Sequence, residues 1–265
     1  MGIGVNRRTG LALLGATALL PAAAVQDLTD GDPLGSMQWP TLHKEFIGDA
    51  AWSFSEQVQV RGPNFADDAM NVPLMVDARQ VVASGQVIKR IRVVVDRNPV
   101  RHVLDFEPLK SLPVIAFRIR MEQASPVRAL VELGSGQWLV GSTWVEAAGG
   151  GCTVPGLTRA DGSWSRTLGQ VQARFFSNVL EGSRRLRLRV MHPMDTGLVA
   201  GTPAFYIEDL TLKDAAGQAW WHLSLHEPVS ENPLLTLEMP SSAPRQFHLS
   251  GRDNGGNLIE AEVGV

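Results

Sequence analysis

Short segments in which apolar and polar residues alternate recur through most of the chain, and they restrict the fold more than any other feature. Residues 185–191 follow a strict period of two, and residues 115–121 alternate apolar with basic side chains. This period is typical of a β-strand with one buried face. Further strands, separated by turn residues, are predicted at 58–61, 72–76, 88–95, 127–133, 138–146, 170–176, 204–212, 219–225, 234–239, 247–252 and 258–263.

The spacing of these strands, about 10 residues with turn signals between them, favours β-sandwiches. Residues 149–169 are rich in Gly, Ser and Thr and show no periodicity, which is typical of a domain boundary. We therefore predict an all-β protein with one sandwich domain at 25–148 and a second at 170–265. The glycine-rich segment 149–169 would link them, and a short helix is predicted at 40–47.

The first 24 residues have the pattern of an export signal. Arg7 and Arg8 precede an apolar run, and Ala22-Ala23-Ala24 offers a small-residue cleavage site. The paired arginines are compatible with the twin-arginine route, although Gly10 stands where an aromatic residue is usual, and the general secretory route is the alternative. The sequence predicts an exported, soluble protein without a membrane span.

Charge gives no reason to expect a nucleic-acid partner. The formal charge of the whole chain is −3. Removal of residues 1–24 takes away two arginines and no acidic residue, so the mature chain would carry −3 − 2 = −5. Proteins that bind nucleic acid or an anionic membrane are usually basic.

Cys152 is the sole cysteine, and its surroundings in the sequence are unusual. Gly149, Gly150 and Gly151 precede it and Pro155 follows. Consecutive glycines are conformationally free, which predicts a flexible arm that presents an exposed, reactive thiol. In an oxidising compartment this thiol must stay free, be modified, or pair with another molecule. The alternative is an incidental thiol in an interdomain linker.

No arrangement of residues indicates an active site of the protein's own. His222 and His226 would lie about 13 Å apart on a strand, too far to share one metal ion unaided. A cysteine nucleophile needs a nearby base, and the sequence places no histidine beside Cys152. His192, before Pro193, is interpreted as a residue hydrogen-bonded at a turn. We therefore predict a carrier or binding protein with no cofactor and no metal, not an enzyme.

Several segments are similar to the carrier of the Sox thiosulfate-oxidation system, in a form with its SoxY-like and SoxZ-like parts fused. Residues 192–198, His-Pro-Met-Asp-Thr-Gly-Leu, resemble a SoxZ segment. Segments 203–207, 230–233 and 253–256 follow in the family's order. SoxY-like segments lie at 64–76, 96–99 and 127–129.

The resemblance implies a periplasmic carrier with two immunoglobulin-like β-sandwich domains. It also implies that Cys152, on the arm formed by Gly149, Gly150 and Gly151, holds a sulfur intermediate covalently while separate enzymes or cytochromes act on it. The family's arm is a free C-terminus with glycines after the cysteine, whereas here the chain continues through Thr153 into the second half.

Fused chains of this kind resemble a subgroup associated with quinoprotein (PQQ) dehydrogenases. The alternative function is therefore a non-covalent periplasmic accessory protein of such a dehydrogenase system, in which the cysteine is dispensable.

Overall fold

The computed structural model describes residues 1, 2, 4, 27–160, 162–177 and 182–264. The predicted signal segment lies almost entirely outside these residues. The all-β fold class is confirmed, because the described residues form sixteen strands and only short helices.

The strands form two sheets. Their bounds are β1 Trp52–Phe54, β2 Gln59–Arg61, β3 Phe65–Ala66, β4 Val72–Asp77, β5 Ile88–Val95, β6 His102–Glu107, β7 Val114–Ile119, β8 Ser125–Leu133, β9 Trp138–Ala147, β10 Val171–Ser177, β11 Ser183–Val190, β12 Ile207–Asp214, β13 Ala219–Leu225, β14 Leu234–Pro240, β15 Gln246–Asp253 and β16 Leu258–Gly264. The larger sheet runs β1-β9-β8-β5-β6-β13-β12-β15-β16, with β3 also paired to β9. The smaller sheet runs β10-β11-β14-β7-β4-β2.

Four short helical segments complete the described secondary structure. They are α1 Trp39–Phe46, α2 Arg79–Ala83, a 3₁₀ turn at Leu157–Arg159 and α3 Trp164–Thr167. The predicted helix at 40–47 corresponds to α1, which has a proline in its first turn. The last two segments lie in the region that the sequence predicts to be an irregular linker.

The two halves of the chain are joined edge to edge in both sheets. In the larger sheet β6 pairs antiparallel with β13, and in the smaller sheet β7 pairs antiparallel with β14. A single apolar cluster extends across this junction, from Val58 in the first half to Val263 in the second. Burial of apolar side chains between the two sheets therefore stabilises both halves together. The domain boundaries at 148 and 169 stay a prediction.

Strand β6 was not predicted from the sequence. Its central residues Val103, Leu104, Asp105 and Phe106 are all buried, so no alternation marks it. Asp105 is tolerated inside because Arg92 donates two hydrogen bonds to it, at 2.8 and 2.9 Å. Burial alone would raise the pKa of Asp105, but the contacts from Arg92 and His102 outweigh burial and hold this pKa well below its ordinary value.

Candidate functional site at Cys152

The three glycines before Cys152 form an anchored turn. Gly149 and Gly150 have φ angles of +94° and +76°, a conformation that other residues rarely adopt. The Gly150 N–H donates to the carbonyl of Glu122 at 2.9 Å, and the Gly151 N–H donates to the carbonyl of Met121 at 3.0 Å. The glycines therefore allow the chain to turn and to pack closely, and the flexible arm predicted from the sequence is not what the structure contains.

Gly151 is the most tightly enclosed of the three. A Cβ atom at this position would lie 2.1 Å from the carbonyl oxygen of Ala69 and 2.7 Å from that of Met121. Both are backbone atoms, which cannot swing aside as a side chain could. Only glycine fits here without a shift of the backbone.

Cys152 itself is buried, contrary to the exposed thiol that the sequence predicts. Only 2% of the surface of Cys152 is accessible to solvent. Its N–H donates to the Glu122 carboxylate at 3.1 Å, and its carbonyl accepts a hydrogen bond from the Thr196 hydroxyl at 2.7 Å. The Thr153 hydroxyl also donates to Glu122, at 3.1 Å. We call residues 149–153 the cysteine segment; it is held from both halves of the chain.

The buried thiol is protonated at neutral pH. Burial raises the pKa of Cys152 to about 12, the negative charge of Glu122 adds to this effect, and Arg120 opposes it. The thiolate is the nucleophilic form of cysteine. In the closed arrangement Cys152 is therefore a poor nucleophile.

Arg120 lies beneath the cysteine segment and was missed by the sequence reasoning. The alternation at 115–121 predicts that it faces solvent like Arg118, but β7 ends at Ile119 and Arg120 is 1% exposed. It donates to the carbonyl of Gly151 at 3.4 Å and to that of Met194 at 3.5 Å. Its buried Nε has no hydrogen-bond partner among the described residues. No sequence signal distinguishes it from Arg118.

The SoxZ-like segment 192–198 supports the cysteine segment from the second half. Thr196 contacts Cys152 and Met194 contacts Arg120, as described above. His192 accepts the Met194 N–H at 3.1 Å through Nδ1 and lies 3.4 Å from Asp253. Burial lowers its pKa to about 4. His192 is thus hydrogen-bonded within its own turn, as predicted.

The linker after Cys152 is also tied to the second half. The Thr158 N–H donates to Glu231 at 2.8 Å, and Asn232 donates to the Thr158 hydroxyl at 2.8 Å. Arg159 donates to Asp195 at 2.6 Å. The cysteine segment is therefore fixed on both sides.

The described residues contain no group of three or more His, Cys, Asp or Glu side chains arranged to hold a metal ion. His222 is hydrogen-bonded to Thr211 at 2.9 Å, while the ring of His226 lies 3.9 Å from that of His102. Among the helices of the described part of the chain, none has the length and hydropathy that crossing a membrane requires.

Two family models match this chain. The model for sulfur oxidation protein SoxY matches residues 43–152, and the model for sulphur oxidation protein SoxZ matches residues 177–264. The chain is a fused SoxYZ-like protein. The SoxY match ends at Cys152, so the continuation of the chain beyond this residue is where the fusion begins. The two matched parts are consistent with two immunoglobulin-like β-sandwich domains.

Two solved structures are similar to part of the chain. The sulfur carrier protein SoxY from Chlorobium limicola f. thiosulfatophilum is 20% identical, with a TM-score of 0.35, over 40% of this chain and 88% of that one. A crystal structure described as a putative superoxide reductase from Thermotoga maritima is 12% identical, with a TM-score of 0.30, over 38% of this chain and 89% of that one. TM-scores this low do not indicate a shared activity. No curated protein sequence matches the chain.

Proposed function

We propose that this fused SoxYZ-like protein carries its sulfur intermediate covalently on Cys152 and that the cysteine segment must open before the thiol can be loaded. The SoxY and SoxZ domains support a carrier role in sulfur oxidation and are consistent with a protein that is not itself an enzyme. The observation that supports covalent attachment at Cys152 is that this residue, the chain's one cysteine, is the last residue of the SoxY match.

The chemistry requires partner proteins. Joining a cysteine thiolate to the sulfane sulfur of thiosulfate forms one S–S bond and releases two electrons, which a partner cytochrome or oxidase must accept. Hydrolysis of the terminal S–S bond in the product consumes one water, releases sulfate and two protons, and leaves a persulfide anion on the cysteine. Both steps need the cysteine sulfur at the surface, within reach of the partner.

The proposed opening would break a small number of contacts. The cysteine segment is held by two backbone hydrogen bonds, by Glu122 and by Thr196, and the two hydrogen bonds from Arg120 to this region are long. Local opening of a segment with few strong contacts costs less free energy than global unfolding. Closure would protect a free thiol from adventitious oxidation in the periplasm, where the predicted signal segment would direct the protein by the twin-arginine or general secretory route.

The first test is the intact mass of the mature protein, taken from the periplasm of cells grown on thiosulfate, before and after reductant. We expect an added mass of one or more sulfur atoms or of a thiosulfonate group, lost on reduction and mapped to the peptide that contains Cys152. Cys152→Ser protein is the matched control and should carry no adduct. A bare thiol under all growth conditions, together with full pathway activity of Cys152→Ser, would overturn the carrier proposal.

The second candidate is a non-covalent periplasmic accessory protein of a quinoprotein dehydrogenase system. The burial of Cys152 and the rise of its pKa to about 12 favour this alternative, because a dispensable cysteine needs neither exposure nor reactivity. It predicts that Cys152→Ser retains both binding to the dehydrogenase and support of its activity. Loss of pathway function in Cys152→Ser, with partner binding intact, would exclude it.

A further inference from the structure

A cleft lined by three arginines lies on the outer face of the smaller sheet. Arg118 projects from β7, and Arg187 and Arg189 project from β11. The cleft has a volume of about 350 Å³ and is also lined by the polar residues Asn71 and Ser230. This volume is in the range of small-ligand pockets.

The cleft depends on the joining of the two halves. Arg187 and Arg189 are two residues apart on one strand and therefore share a face. Strand β14 separates them from β7, to which it pairs through Thr236 and Ala116. The Ser230 N–H donates to the carbonyl of Arg118 at 3.0 Å, which fixes the loop before β14 against β7. Neither half alone would place the three arginines together.

These three arginines differ from Arg185 in having no ionic partner among the residues that the structure describes. On the same face of β11, Arg185 is 2.5 Å from Glu238. The guanidinium groups of Arg118, Arg187 and Arg189 form no ion pair and no hydrogen bond with any of the described residues, and all three residues are exposed. The acidic residue that lines the cleft, Glu231, accepts the Thr158 N–H at 2.8 Å.

The cleft is positively charged, whereas the chain as a whole is negatively charged. Three arginines and one glutamate give the cleft a formal charge of +2, in a chain whose formal charge is −3. Arg174 on β10 lies directly opposite Arg187 on the neighbouring strand, which adds to the repulsion. Like charges opposite each other destabilise a sheet. A bound anion would relieve this repulsion.

We propose that the arginine cleft binds a small divalent oxyanion of the size of sulfate. Guanidinium groups present N–H donors in pairs whose geometry matches oxyanions. Asn71 uses one of its two amide N–H groups on Asp68, at 2.9 Å, and keeps the second for a ligand. The site is formed without Cys152, so it does not depend on the covalent carrier role.

The test is isothermal titration of the full mature chain with sodium sulfate at low ionic strength, with sodium chloride of matched ionic strength as the reference. The Cys152→Ser background removes thiol chemistry and should bind sulfate as well as the unsubstituted protein does. We expect saturable binding of one sulfate per chain and a rise in the thermal unfolding midpoint. The Arg187→Gln/Arg189→Gln variant should bind at least tenfold more weakly.

Arg245→Gln removes an exposed arginine outside the cleft and serves as the matched control, with unchanged affinity. Arg118→Gln provides a second, single-site variant if the double variant does not fold. Absence of saturable binding at millimolar sulfate would overturn the proposal, as would equal affinity of the cleft variants and the control. Binding of a short oligoglutamate peptide without binding of sulfate would also overturn it, in favour of a docking site for an acidic partner.

Discussion

Arg128 and Arg120 are both fully buried, yet their surroundings differ sharply. Arg128 donates to Asp96 at 2.8 and 2.7 Å and to Asp32 at 2.6 and 3.0 Å. Burial alone would lower the pKa of Arg128, but its hydrogen bonds with the two carboxylates outweigh burial and raise it. Arg120 has two long hydrogen bonds to carbonyls, and burial lowers its pKa.

The difference indicates which of the two arginines holds its surroundings more firmly. Asp32 lies 96 residues before Arg128, so the cluster of Arg128, Asp32 and Asp96 ties the N-terminal segment to the larger sheet. Arg120 ties the cysteine segment to the second half only weakly. A buried charge with strong partners holds a structure closed, while one with weak partners leaves opening less costly.

The largest effect is expected from Arg128→Met. Removal of the guanidinium leaves two carboxylates unpaired at sites where both side chains are 0% exposed, which should lower the free energy of unfolding by about 3–5 kcal/mol. Urea denaturation measures the change. Arg101→Met is the control, since it breaks an exposed pair with Glu45 and should cost less than about 1 kcal/mol. Equal costs for the two variants would mean that the Arg128 cluster does not fix this region.

Gly151→Ala should have the next largest effect. The added Cβ would collide with the carbonyl oxygens of Ala69 and Met121, so the cysteine segment must shift, at a cost of about 1–3 kcal/mol. Because this shift exposes the thiol, alkylation of Cys152 by iodoacetamide at pH 8 should become faster. Gly134→Ala, where a Cβ would meet Val87 at 3.4 Å, should leave the rate unchanged. An unchanged rate in Gly151→Ala would contradict the closed cysteine segment.

Arg120→Met should have a smaller effect on stability than Gly151→Ala. Methionine replaces a poorly partnered buried charge with an apolar side chain, so the free energy of unfolding should change by less than about 1 kcal/mol. The same urea experiment places it beside Arg128→Met. A loss as large as that of Arg128→Met would show that Arg120 is as firmly bound as Arg128, and the comparison would fail.

The smallest effect on stability is expected from Glu122→Gln, which acts on the thiol. Glu122 raises the pKa of Cys152, so its neutralisation should lower that pKa and increase the alkylation rate at pH 9 several-fold. The glutamine oxygen can still accept hydrogen bonds from Cys152 and Thr153. Glu56→Gln, at an exposed site, is the control. A slower reaction in Glu122→Gln would contradict the assigned electrostatic role.

The same pKa sets the direction of the stability change at high pH. The folded pKa of Cys152, about 12, lies above the ordinary thiol value of about 8.5. The protonated thiol therefore stabilises the fold fully below about pH 8.5, and this contribution is lost as the pH rises toward 12. The unfolding free energy of Cys152→Ser should fall less steeply over this range than that of the unsubstituted protein.

Most of the strands could be predicted from the sequence, because a strand with one buried face shows the pattern in its own residues. The predicted strand at 88–95 coincides with β5, and the strand at 219–225 coincides with β13. Strand β6 could not be found in this way, because both of its faces are covered and its polar residue Asp105 is paired internally. It is nevertheless one of the two strands in the first half that join it to the second.

The sequence reveals the all-β class, the resemblance to SoxY and SoxZ, and the position of the chain's one thiol. The folded structure adds that this thiol is buried, that Arg120 lies beneath it, and that three arginines line one cleft. The physical reason is the distance along the chain: Thr196 reaches Cys152 across 44 residues, and Arg120 reaches Met194 across 74. Local patterns report the faces of single strands, whereas burial of a loop depends on residues that only folding brings together.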